Sequence, residues 1–502
     1  MRLTRFCLTV LLGAGSCGTP RRPEPELLQP HVEEARAATA GKPGPRPVSL
    51  DEFEQKVLEI KKQWDETLRA PEKLLTFYDF STPEMTGLRQ EAAREDFPAS
   101  LEKTVTLERV LAGAFVRSPS LRQARKELEA TVEQYPQVTY LDNILRQYVS
   151  FLRTLRTRIG PVVSMDTVAK RFPFPGTLEL KAAVVGHAVE GARAKYEAVL
   201  RDLVTEVRVA YAEYVYLARA IEITNETLGY LRQLEATARG KLAAGTAQKA
   251  HVLQTQVEIS KLENDLITLK QERETVRAQL NTLLDLSPTT PLAEPVAAPL
   301  GPFPPDVKPL YDRALKEQPD ILLATAWAER TAAMIELAEQ ATYPDLSPGL
   351  SYLEDPSHAT GGTGKDREPF STRPKVAPDV WFGTKEAYLR EVRESERAAR
   401  AAVVASRDRT QYRVKDAYVQ LDTAKRLYEL YRDVQLSLAE QAYSDAAAGY
   451  AADRVEFLNV VDALRRWLRF RLDADRAVRD YHRTHARLEG AVGGPLEREE
   501  KK

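Results

Sequence analysis

Cysteine is almost missing from this chain: 502 residues carry only two, Cys7 and Cys17, too few for a disulfide framework. An excess of one charge is missing as well. The 72 lysines and arginines face 73 acidic residues, for a formal net charge of −1. Nucleic acid is therefore not expected as a partner. Past the first twenty residues no apolar run is long enough to cross a bilayer as a helix. If such a chain spans a membrane, it must do so as β-strands. Catalytic motifs are absent too, with no metalloprotease helix and no nucleophile elbow. The run Gly361-Gly362-Thr363-Gly364-Lys365 lacks the P-loop spacing and reads as an exposed loop. His482 and His485 stand three apart with no third ligand nearby, which reads as surface decoration rather than a metal pair. No enzyme, no cofactor and no metal are expected.

What is present begins with an export signal. Arg2 and Arg5 precede a short apolar stretch, Phe6 to Leu12, and small residues lead to Cys17. Ala14-Gly15-Ser16-Cys17 resembles the lipobox of bacterial lipoproteins, which makes Cys17 the lipidation site of a chain whose signal is residues 1–17. Residues 18–48 hold seven prolines, from Pro20 to Pro47, and read as an extended tether. Residues 49–103 read as a helical extension that opens on a Ser49–Glu52 capping box. This extension is expected to pack on the outside of the remaining chain.

The rest is duplicated. Pro119, Leu121 and Ala124 recur as Pro319, Ile321 and Ala324, and Tyr135-Pro136 recurs as Tyr343-Pro344. Phe174-Pro175-Gly176-Thr177 is echoed by Trp381-Phe382-Gly383-Thr384, and Ala210-Tyr211 by Ala417-Tyr418. Ala243-Ala244-Gly245 is matched to Ala447-Ala448-Gly449. The repeats are residues 104–286 and 309–490, joined by a Pro-rich linker at 287–308 and followed by a charged tail at 491–502.

Each repeat contains a very long helical hairpin. In the first, Val199, Leu203, Ala210, Tyr214, Leu217, Ile221, Thr224, Leu228 and Leu231 form one stripe. The return helix steps by three and four from Val252 to Leu283, interrupted once by Arg273, so it is expected to coil left-handedly around neighbours. Helices are expected over Leu178–Gly240 and Thr246–Leu284, and again over Lys385–Ala447 and Ala452–Leu488. The first of these is about 95 Å long at 1.5 Å per residue, which no compact globule holds.

Two such hairpins, each preceded by a short helix and an extended segment, resemble the TolC family of outer-membrane efflux ducts. The wording agrees at RFPFPGTLEL (Arg171 to Leu180) and VWFGTKEA (Val380 to Ala387), the strand-to-helix junctions around Pro175, Gly176, Phe382 and Gly383. It agrees again at the tips, KLAAGTAQKAHVLQTQVEI from Lys241 and AAAGYAADRVEFLNVVDALRR from Ala446. The resemblance implies a mainly α fold, a protomer of long antiparallel coiled-coil hairpins with a small strand portion contributing to a trimeric β-barrel. It also implies a homotrimer, a periplasmic adaptor (membrane fusion protein), an inner-membrane transporter of RND type and outer-membrane lipid as partners. By that resemblance Ala244, Gly245, Thr246, Ala448, Gly449 and Tyr450 meet the adaptor. Asp462, with Asn459, Asp453 and Arg454, then belongs to a periplasmic gate, and Arg454 is the partner expected for Asp462. The strand segments themselves are poor: Tyr343 to Leu353 and Thr372 to Phe382 contain prolines, and Leu141 to Leu155 has helical spacing. The implied function is a passive exit duct for small solutes such as drugs or metal ions. The other reading is a lipid-anchored coiled-coil scaffold that conducts nothing.

Overall fold

No proline interrupts the long stripes, and their apolar positions return every three or four residues, so nothing stops the helices once nucleated. The computed structural model describes residues 50–70, 80, 82–138, 177–340 and 382–496. The chain divides into two units after Phe53, and of the first only the start of one helix is described. In chain order the helices are α1 (Leu50–Arg69), α2 (Pro83–Ala92), α3 (Phe97–Leu101), α4 (Leu107–Arg117) and α5 (Pro119–Val132). Then come α6 (Thr177–Ala243), α7 (Lys249–Leu283), α8 (Lys308–Glu317) and α9 (Pro319–Gln340). The chain ends with α10 (Phe382–Leu430), a π-helical turn (Tyr431–Gln435), α11 (Leu436–Ala451) and α12 (Phe457–Val492). The fold is mainly α. The signal, Cys17, the tether, the Gly361–Lys365 loop and every expected strand lie outside the described residues.

The duplication is visible in the helix starts. Pro119 and Pro319 each open a helix, where the missing N–H costs nothing. Just before them, the Ser118 and Gln318 amides donate to Ala114 and Ala314, each at 3.0 Å. Helix α6 is 67 residues long, about 100 Å at 1.5 Å per residue. It runs antiparallel to α7 and also packs along α9 and α12, while α10 and α11 run antiparallel to α12. The stripe read in α6 is the buried one: Leu203, Ala210, Leu217, Thr224 and Leu231 are all in the interior.

At mid-height Leu310, Ala314, Val414, Ala417, Leu421, Tyr481, Leu488 and Val492 form one core. The chain stays ordered against it beyond the Leu488 end expected for the last helix, since Leu496 packs there too. The extension does not lie wholly outside. Phe97 and Leu101 are fully buried, and a side chain at Gly113 would strike the Phe97 ring at 2.7 Å and Leu284 at 2.8 Å. This pocket is closed because residues 101–105 pair with the linker, through Ala293 N–H to Leu101 and Val296 N–H to Val105, both 3.0 Å.

The Pro-rich linker is a strap pinned across the helices by phenols. The Tyr211 hydroxyl donates to the Val296 carbonyl and the Tyr481 hydroxyl to the Gly301 carbonyl, each at 2.7 Å. His482 and His485, expected at the surface, lie largely buried beneath it. The contact is so close that a side chain on Gly301 would sit 2.6 Å from His485 Nε2. Burial first, then the neighbouring Arg208 cation, holds His485 down at about 4, and the same two causes lower His482. The unfolded imidazole binds its proton near pH 6.5, whereas the folded one refuses it until about pH 4. The stabilisation is therefore complete above pH 6.5 and is lost as pH falls toward 4. Thermal unfolding is expected to show about 1–2 kcal/mol lost between pH 7 and 5, and His485→Gln to flatten that slope. An unchanged slope in the variant removes His485 as the cause.

Candidate functional site: the hairpin tips

Both hairpins reverse through the same hydrogen-bonded motif. At the first tip Gly245 is left-handed (φ +77°), with its N–H on the Leu242 carbonyl at 3.0 Å and Thr246 N–H on Lys241 at 2.9 Å. At the second, Asp453 is left-handed (φ +57°), with its N–H on Tyr450 at 3.2 Å and Arg454 N–H on Gly449 at 2.8 Å. These are paired Schellman closures. The twin of Gly245 is therefore Asp453, and the match to Gly449 is corrected. Ala448, Gly449 and Tyr450 belong to the last turns of α11. Gly449 is needed for room instead, because a Cβ there would lie 2.4 Å from Val455 Cγ2.

The two tips are fastened together. Leu234, Ala238 and Val252 of the first hairpin share a cluster with Tyr450, Phe457, Val460 and Val461 of the second. His251 stacks on Phe457 at 4.6 Å, and Lys241 both pairs with Asp453 and lies 4.9 Å over the Tyr450 ring. Burial, then the nearby Asp453 charge, pushes the Tyr450 phenol up. Ala244, Gly245, Thr246 and Ala448 remain exposed, Gly449 is half-buried and Tyr450 is buried.

On α12, Phe457, Val460, Val461, Leu464 and Trp467 face inward, which turns Asn459 and Asp462 outward. Asp462 is 51% exposed and pairs with Arg466 one turn on, at 2.6 Å. That replaces Arg454 as its partner; an i, i+4 neighbour on the same helix face wins over one two turns away. Asp453 and Arg454 are both exposed at the turn. Phe382 and Gly383 open α10, three residues before the expected start, while Pro175 and Gly176 lie outside the described residues. Among the described residues no three metal-capable side chains converge, and no helix is long and apolar enough to cross a membrane.

Sequence reading missed the links between hairpins. Glu258 of α7 accepts from Nε, at 3.0 Å, and Nη2 of Arg465 on α12, and this hydrogen bonding lowers the carboxyl below its ordinary value. Arg471 reaches Glu226 at 2.5 Å, and Arg479 reaches Glu213 at 3.2 Å. Glu258 was findable, since a carboxylate inside the stripe of Thr255, Ile259 and Leu262 needs a partner.

The geometry defines a class: a protomer of two fused helical hairpins whose tips are locked side by side. Residues 179–285 and 310–494 match the model of the outer membrane efflux protein family, more than half of the chain. The chain belongs to that family. Among solved structures it is similar to the outer membrane protein VceC of Vibrio cholerae, at TM-score 0.58 and 18% identity, covering 78% of this chain and 97% of that one. It is also similar to the open-state MtrE outer membrane channel of Neisseria gonorrhoeae, at TM-score 0.58 and 18% identity over 79% and 91%. A curated relative, toxin and drug export protein A of Aggregatibacter actinomycetemcomitans, is 33% identical over 87 residues. That match spans 17% of this chain and only 19% of the relative.

Proposed function

We propose that the chain is one protomer of an outer-membrane exit duct, a passive conduit across the periplasm and outer membrane for small solutes such as drugs or metal ions. One observation carries this. On α6, Ala212, Ala220 and Ile223 are 6, 0 and 1% exposed, on the face where α12 docks through Leu472, Arg471 and Arg479. Their counterparts on α10, 207 residues later, are Val419, Leu427 and Leu430, at 47, 41 and 42% exposed. The second repeat thus carries a larger apolar face at the same place, with no cover from the described residues of its own chain. A second copy supplies that cover by setting α7, with its exposed Leu253 and Ile267, where α12 sits on the first repeat. Head-to-tail repetition of such a contact closes into a ring, and a ring of long parallel hairpins encloses a tunnel. Three copies close it, as in the family.

In this reading the adaptor meets the exposed tip, Ala244 to Thr246 with Leu242 and Leu458 beside it. Asp462 and Asn459, with Asp453 and Arg454 at the turn, ring the periplasmic aperture. Cys17 carries the lipid, and the energy comes from an inner-membrane pump of the RND type. The name of the curated relative, a toxin and drug export protein, agrees with an exported cargo. The test is conductance in planar bilayers. The parent is expected to conduct with cation preference, and Asp462→Asn to weaken that preference and block by divalent cations. No conductance sinks the conduit and leaves the lipid-anchored scaffold. Unchanged selectivity in the variant removes Asp462 from the gate alone.

A further inference from the structure

The end of α12 and the start of α9 meet between α6 and α10, and the joint is open. Gln318, just before α9, donates its side-chain amide to the Gly490 and Ala491 carbonyls at 3.2 and 3.0 Å, and accepts from Arg201 of α6 at 2.8 Å. Beside this junction lies a cavity of about 950 Å³, at the upper end of the range that holds small molecules. It opens on the face that the strap leaves bare. Tyr211 of α6 and Tyr418 of α10 reach the strap carbonyls of Val296 and Pro304. Asp202 and Arg409, which line the cavity, each stand nine residues before one of these tyrosines. Nine residues are about two and a half turns, which puts them on the opposite side of their helices. Arg487 of α12, another lining residue, likewise lies about 200° round from His485 beneath the strap.

The first repeat closes the matching place. There Lys195 of α6 reaches across to Glu127 of α5 at 2.6 Å. Their counterparts, 207 and 200 residues on, are Ala402 and Trp327, and both line the cavity. A long cation has become a methyl group and its carboxylate an indole, so the pair is gone and the space is left. About two turns further along, the charge reverses as well: Asp202 and Glu206 of α6 correspond to Arg409 and Arg413 of α10. The long helices are common to both repeats, so the fold itself requires none of these four exchanges.

The cavity wall combines an indole with unbalanced guanidinium groups. Trp327 is 52% exposed, and the Arg330 guanidinium lies 5.1 Å from its ring centre. The carboxylates are already engaged. Asp320 takes Arg201 at 3.0 Å and Arg413 at 3.4 Å, Asp202 takes Arg201 at 2.8 Å, and Asp416 accepts from Gln420 at 2.8 Å. Arg409 and Arg487 are exposed on the cavity and have no carboxylate partner among the described residues.

We propose that this cavity binds a small organic anion with an aromatic ring, its carboxylate held by Arg409 and Arg487 and its ring laid against Trp327. A guanidinium fork matches a carboxylate in shape and charge, and an exposed indole offers a planar apolar surface. Binding belongs to the chain itself. That the ligand is cargo on its way out rests on the duct reading, in which the strap and the extension fit only outside the ring and the bare face lines the tunnel.

Naphthoate, titrated calorimetrically into the purified full chain, tests this. It is expected to bind at least about tenfold tighter than naphthamide, its uncharged analogue, and than inorganic phosphate. Arg487→Gln and Trp327→Ala, both at exposed positions, are each expected to weaken it about tenfold. Ala402→Lys combined with Trp327→Glu installs the pair of the first repeat and is expected to abolish binding, with the helical circular dichroism unchanged. If that double variant does not fold, the two single variants decide. Equal affinity for the amide overturns the anion, and equal affinity for phosphate overturns the aromatic ring. No binding by the parent, or full binding in any of the variants, overturns the site. Conductance in planar bilayers without naphthoate binding leaves the duct and removes the site, whereas binding without conductance keeps the site and sinks the duct.

Discussion

A chain carrying Leu427→Asp together with Leu430→Asp is expected to fold as a helical protomer and to fail to assemble. Both leucines sit on the face of α10 that the described residues of its own chain leave uncovered, while the matching Ala220 and Ile223 of α6 are sealed. Burying a whole leucine contributes roughly 1.5–3 kcal/mol; with 41 and 42% of these two left to bury, each contact between copies loses about 1–2.5 kcal/mol before any desolvation of the new carboxylates. At 1.4 kcal/mol per decade, that is about one to two decades of affinity at each contact. A closed ring feels the loss at every contact. Light scattering on purified protein reads the oligomer, and circular dichroism confirms the helices. A double variant that assembles like the parent would falsify the interface, and with it the structural reason for a tunnel.

Trp467→Ala is expected to remove about 3–5 kcal/mol of stability, the usual range for emptying a large aromatic site. Trp467 is buried on α12 and stacks on Tyr443 of α11 at 5.2 Å and 11°. Tyr230 of α6 leans on it at 5.2 Å, and the Arg471 guanidinium lies 5.2 Å from the ring centre. The ring thus joins both hairpins at one level. Trp467→Phe keeps a ring there and is expected to recover more than half of the loss. Denaturant unfolding of the two variants measures it. A cost below about 1 kcal/mol for alanine means that the neighbours collapse into the space, and the knot is then not what holds the hairpins together.

The turn at the second tip shows how close sequence matching came and where it slipped. Ala-Ala-Gly occurs in both repeats, so identity of letters aligned Gly245 with Gly449. Backbone geometry aligns it with Asp453, because the left-handed position closes the helix whichever residue fills it. Aspartate tolerates that conformation better than most residues, and its carboxylate gains Lys241 there. The four-residue slip also hid one extra residue on the way to the second tip, since Tyr211 and Tyr418 are 207 apart but Gly245 and Asp453 are 208 apart. A heptad pattern read in one helix does not reveal a step of eight until its partner helix shows which side must face inward.

By itself the sequence determined the long helices, their approximate ends and the duplication, because each rests on local rules. Periodicity, the lack of proline inside the helices and the proline starts at Pro119 and Pro319 act within a few residues. Tertiary structure alone decided which residues meet across the hairpins: Lys241 with Asp453, Glu258 with Arg465, and the strap over His482 and His485. It also decided that Phe97 and Leu101 of the extension go inside, against Gly113. Those contacts join residues far apart in the chain, and their partners are chosen by the distance and burial that packing creates. Neither quantity is written in a local pattern.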